Sequence, residues 1–102
     1  MLQLRPNCEC CDKDLPPNAA DARICTYECT FCADCVDTVL LNVCPNCGGG
    51  FVQRPIRPVT ERRPDVCLAK QPASSKRVHM KCTREEATEF ARGVRDIAPD
   101  DR

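Results

Sequence analysis

The chain has no tryptophan, one tyrosine, three phenylalanines and a single histidine among its 102 residues. Each shortage excludes something. Short chains bury a smaller fraction of their surface, and Tyr27, Phe31, Phe51 and Phe90 are too few to fill an ordinary core. With His79 as the one imidazole, a hydrolytic metal centre or a histidine-based acid–base pair has almost nothing to draw on. No apolar run approaches the roughly 20 residues of a membrane-spanning helix, so no membrane role is expected. The opening "MLQLRPNCEC" has neither the basic leader nor the apolar stretch of an export signal. The expected setting is therefore the reducing cytoplasm, with a mature secreted fragment as the alternative.

What the chain has instead is cysteine, eleven in all. An odd number leaves a thiol over in a disulfide scaffold, and disulfides rarely persist in reducing compartments. Metal is the expected substitute for the missing core. Nine of the cysteines fall between Cys8 and Cys47, which places a metal-binding module at residues 1–53. Within it "LQL" alternates like a short strand, and "DLPPN" reads as a turn because its prolines fix φ. Residues 34–42 carry Val36, Val39 and Leu40 at helical spacing, with Asp34 as the expected N-cap. "GGGFVQ" reads as a turn into a short strand.

Residues 54–82 change character. Pro55, Pro58, Pro64 and Pro72 oppose regular structure. From Arg54 to Arg84, nine basic residues face only Glu61 and Asp65, a net +7. This segment reads as an extended basic arm. Residues 83–98 read as an amphipathic helix opened by a Thr83/Glu86 capping box and stopped by Pro99. Its apolar face is Ala87, Phe90, Ala91, Val94 and Ile97.

The cysteines of the module form four close pairs: Cys8-x2-Cys11, Cys25-x3-Cys29, Cys32-x2-Cys35 and Cys44-x2-Cys47. A CxxC turn lets two thiolates converge on one ion, and two such pairs complete the tetrahedral sulfur shell that zinc prefers. Eight ligands therefore imply two closed sites and two zinc ions. "CPNCGG" adds a stiffening proline and a glycine suited to a left-handed step after the second ligand. Sequential filling would group Cys8, Cys11, Cys25 and Cys29 against Cys32, Cys35, Cys44 and Cys47. Interleaved filling would group Cys8, Cys11, Cys32 and Cys35 against Cys25, Cys29, Cys44 and Cys47. Spacing alone leaves both open. Cys10 is surplus: an alternative ligand, a redox-sensitive thiol or a spare. Cys67 and Cys82 with His79 make at most a weak third site, and His79 reads more simply as a solvated residue.

The order of pairs, with Phe31 before Cys32, an apolar helix after Cys35 and Pro45 in the last pair, resembles RING-type cross-brace domains. Cys29 stands where most of these have histidine, an acceptable exchange at zinc. That resemblance implies a small α+β, treble-clef-like fold with interleaved sites. In RING ligases apolar residues near the first and last pairs bind a conjugating enzyme, often with a basic residue after the final ligand. Here Glu9 follows the first ligand and Gly48 the last, so ligase activity is not expected. More of the chain is covered by a second resemblance. "LRPNCECCDKDLPP", "ARICTYECTFCADCV", "CPNCGGGF" and "RPIRP" are similar to a family of small, mainly bacterial proteins known as domain of unknown function 1272, which implies no mechanism.

The expected function is non-enzymatic: a protein-interaction or adaptor module organised by two structural zinc ions. The alternative is a thiol-based redox or zinc sensor that loses metal on oxidation. Third is nucleic-acid binding through the basic arm, weakened because no aromatic residues interleave with its charges. Against it stand the attraction of an acid-rich module for its own basic arm and the plain reading of the arm as a solvated linker. The expected contacts of the C-terminal helix are its own module, a second copy or a protein partner.

Overall fold

The computed structural model describes residues 1–102. Its framework is a small α+β unit in which three short antiparallel strands, β1 (Ala22–Ile24), β2 (Thr30–Cys32) and β3 (Val52–Gln53), lie in the order β2-β1-β3. Ala22 pairs with Cys32, Arg23 with Phe31 and Ile24 with Thr30, while Arg23 and Ile24 pair on their other side with Gln53 and Val52. Thr30 and Phe31, β-branched and aromatic, suit a strand between two buried faces and are fully buried. The hairpin turn reverses through Glu28 at φ +66°, and the Cys25 amide closes it on the Cys29 carbonyl at 3.3 Å. "LQL" forms no strand; Leu4 is a single buried anchor, and its carbonyl accepts from the Ser74 amide.

Helix α1 (Ala33–Thr38) follows β2 without a break. Its N-cap is Cys32, not Asp34, which sits in the first turn where its charge still suits the helix dipole. The chain leaves the helix through Leu41 and Asn42, both at positive φ, and the Asn42 side chain accepts the Phe51 amide at 3.0 Å. That bond aims the chain into β3. The core is correspondingly small: Leu15, Phe31, Val36 and Leu40 pack among cysteines, and Phe51 meets Phe31 edge-to-face at 5.4 Å.

No helix or strand interrupts residues 54–83, as the prolines require, yet the segment is strapped to the module. Arg54 is 1% exposed, and its guanidinium donates to the carbonyls of Arg5, Leu15 and Pro16. Arg57 bridges the Leu2 and Gln71 carbonyls. Further along, the fully buried Asn7 exchanges two hydrogen bonds with the Val78 backbone. Arg77 reaches Asp12 and Asp14, an acidic module holding its own basic segment.

Helix α2 (Arg84–Arg92) opens on the expected capping box, with Thr83 and Glu86 each accepting the other's amide. It ends earlier than the periodicity implies, at Gly93, and Val94 to Ile97 continue as turns before a single 3-10 turn at Pro99–Asp101. Ala87 and Ala91 are buried, and Thr88 donates to the Val39 carbonyl at 2.8 Å, so α2 docks on the end of α1. Phe90 and Ile97 remain about half exposed.

Two stability differences follow. Arg54→Ala removes the donors of three carbonyls in a dry site and should cost about 3 kcal/mol in urea denaturation of the loaded protein. A loss below about 1 kcal/mol would mean that water replaces the guanidinium. Thr83→Ala, which removes only a solvent-exposed cap, should cost about 1 kcal/mol in the same measurement.

Candidate metal centres

The β2–α1 junction explains the first cluster. Cys32 ends the strand and Cys35 lies three residues on, within the first turn of α1, so both thiols reach the same side. Opposite them, the loop of Cys8 to Cys11 turns tightly: the Cys10 and Cys11 amides donate to Cys8 Sγ at 3.4 and 3.5 Å. Asp12 takes the left-handed step after the second thiol at φ +64°. The sulfurs of Cys8, Cys11, Cys32 and Cys35 all lie within 4.8 Å of one another. Cys11 Sγ and Cys32 Sγ are 3.8 Å apart. A tetrahedral ion with metal–sulfur bonds near 2.3 Å has sulfur–sulfur edges of about 3.8 Å. One edge of the group already has that length, and the other sulfurs lie close enough to contract onto a four-sulfur shell.

The second cluster joins the β1–β2 turn to the loop before β3. Cys25, Cys44 and Cys47 have their sulfurs within 4.8 Å of one another, two buried and Cys47 exposed. Gly48 supplies the left-handed step at φ +78°, and the amides of Tyr27 and Gly49 donate to Cys25 and Cys47 at 3.3 and 3.4 Å. Cys29, the expected fourth ligand, stays outside this group. It is buried beside Cys25, where the Asn46 side-chain amide donates to its sulfur at 3.4 Å. The structure thus gathers seven of the eight expected ligands, and it joins the pairs in interleaved order.

Burial sets the proton affinity of these thiols. It pushes Cys32 up to about 11 and raises Cys29, Cys35 and Cys44 as well, with neighbouring cysteines adding to the shift. Burial also pushes Cys11 up, but hydrogen bonds from the Lys13 backbone and from Cys8, Cys35 and Cys32 outweigh it and leave its pKa lowered. Cys10 lies beside Cys35 and Arg84, its thiol raised by burial, and does not join the four-sulfur group. Cys67 is buried in the strapped segment and Cys82 packs against the core. Neither gathers with His79, whose Nε2 is 2.9 Å from Asp12 Oδ1, so the weak third site does not form.

Three supporting residues escaped the sequence reading. Glu9, inside the first pair, is 3% exposed, pairs with Arg5 at 2.7 Å and accepts the Thr30 amide at 2.6 Å. This carboxylate ties the first loop to β2 and so sets one half of the first cluster against the other. Asn7 donates to the Cys8 carbonyl, and Asn46 serves Cys29. Asn46 lies within "CPNC", the one place where its role had a sequence signal.

Thiols held protonated by burial must surrender protons to a metal. Titrating the reduced, metal-free chain with a soft divalent ion in weak buffer should release protons, and apparent affinity should rise with pH across neutrality. Uptake without proton release would mean that the thiolates form before the ion arrives.

The profile of a family described as "Protein of unknown function (DUF1272)" matches residues 1–57, the stretch that carries both clusters. The uncharacterised protein R02474 of Rhizobium meliloti (strain 1021) is 60% identical over 78 residues, 76% of this chain and 86% of the relative. No solved structure matches the chain. Both clusters and the loops that shape them fall inside the matched stretch, and the chain belongs to the DUF1272 family.

Proposed function

We propose that this protein is a non-enzymatic, cytoplasmic binding module whose surface is fixed by two structural zinc ions in a RING-like cross-brace. The observation that carries the reading is the first cluster: four thiols, from two separated pairs, gathered within 4.8 Å of one another with one edge at 3.8 Å. Four sulfur ligands leave no position for a reacting water, unlike a catalytic zinc with three protein ligands. Cys29 completes the second shell by giving up the Asn46 amide and turning towards Cys25, Cys44 and Cys47. Two Zn(Cys)4 centres add about −4 to an acid-rich module, which strengthens its hold on Arg77. That self-pairing also draws basic charge away from nucleic acid.

Native mass spectrometry of the purified, reduced chain should show two zinc ions, and Cys35→Ser should retain no more than one. Failure to retain two ions would overturn the reading. A redox sensor is the second reading, favoured by the position of Cys10 beside Cys35. Mild peroxide separates the two: a structural module keeps both ions, whereas a sensor loses zinc together with gain of disulfide mass.

A further inference from the structure

The N-terminal segment and residues 55–71 enclose an apolar groove. We propose that this groove docks a short acidic peptide segment of a partner protein, anchored by aliphatic or aromatic side chains. The inference rests on the binding-module reading and names the surface that does the binding. Leu2, Leu4, Pro55, Ile56, Pro58 and Val66 line a cavity of about 370 Å³, large enough for two or three side chains. Leu4 forms its buried base, while Ile56 and Val66 stand 51% and 48% exposed at its edge. The groove is already shaped: Arg57 clamps Leu2 to Gln71, and the amides of Leu68 and Ser74 close on the carbonyls of Pro58 and Leu4 at 2.8 and 3.0 Å. Little ordering would remain for a partner to drive.

Charge selects the occupant. Arg57, Arg62 and Arg63 have no carboxylate within 4.0 Å, and Lys70 meets Asp65 only at that limit. Glu61 accepts the Asp65 amide at 2.8 Å. Arg62, Arg63 and Lys70 line a polar hollow formed by residues 61–65 and 70, next in sequence to Val66 of the groove. The unpaired guanidiniums of Arg62 and Arg63, a few residues from the groove-lining Val66, suit carboxylates flanking apolar anchors through charge-assisted hydrogen bonds, and Arg57, its guanidinium engaged by two carbonyls, adds positive charge to the groove itself. No aromatic side chain lines the groove to stack a nucleobase, which disfavours single-stranded nucleic acid.

The test is selection of random dodecapeptides displayed on phage against the zinc-loaded full chain. Enriched peptides are then measured by fluorescence anisotropy on the wild type, Ile56→Asp and the double variant Arg62→Glu/Arg63→Glu. These side chains are exposed, and native mass confirms that each variant keeps its ions. The expected result is enrichment of peptides mixing Asp or Glu with Leu, Ile or Phe. Their affinity should fall at least about tenfold on each variant. The proposal is overturned by no enrichment, by peptides that bind both variants as tightly as wild type, or by tighter Ile56-dependent binding to phosphatidylglycerol vesicles than to any peptide. Peptides that bind elsewhere would sink this surface and leave the binding-module reading standing. Loss of the two-ion mass from the wild type would instead strike the module itself.

Discussion

The convergence of Cys8 and Cys11 on Cys32 and Cys35 is the contact on which the rest of the structure depends. It joins an N-terminal loop to the strand–helix junction, beside the Glu9–Thr30 hydrogen bonds that link the same two segments. Phe31, Leu15, Leu40 and Val43 are the only large apolar side chains wholly out of water, too few to fold a chain of this length by burial alone. The second cluster repeats the device between the β1–β2 turn and the loop before β3. Because the pairs interleave, each cluster closes a chain loop that contains part of the other.

Around this centre the structure relies on directed hydrogen bonds more than on packing. Arg54 lies in the interior without a carboxylate and is held by three carbonyls, its Nε without a partner. Such a charge is costly to bury, and burial lowers its pKa. What offsets the cost is geometric: one planar group satisfies carbonyls from the N-terminal segment and from the Leu15–Pro16 turn at once. Lysine, with a single point of charge on a flexible stem, would not reach all three. Asn7 and Glu9 act similarly, each linking the first cysteine loop to a segment remote in sequence.

How much of this was legible beforehand depends on whether a signal was local. Three of the four cysteine pairs, the left-handed Gly48, the Thr83–Glu86 capping box and the strand after the glycines are written within a few residues, and each appears in the structure. The pairing order was open from spacing and was implied by resemblance alone; the structure joins the pairs in the interleaved order. β1 and β2 went unseen because three-residue strands carry no measurable alternation, and the ladder between them supplies their stability. The basic segment read as a free arm because composition does not show that Arg54, Arg57 and Arg77 have carbonyls and carboxylates waiting across the chain. Nor does spacing show that Cys29, beside Cys25, receives the Asn46 side-chain amide and stays outside the second group.

Two sulfur clusters, one of four thiols and one of three, tie the loops of the module together. The central claim concerns which cysteines share an ion, and cadmium-113 substitution tests it most directly. Proton–cadmium correlation spectra of the reduced, cadmium-loaded chain should show two metal signals. One should couple to the β-protons of Cys8, Cys11, Cys32 and Cys35, the other to those of Cys25, Cys29, Cys44 and Cys47. A signal coupled to Cys8, Cys11, Cys25 and Cys29 together, or a single metal signal, would contradict the account.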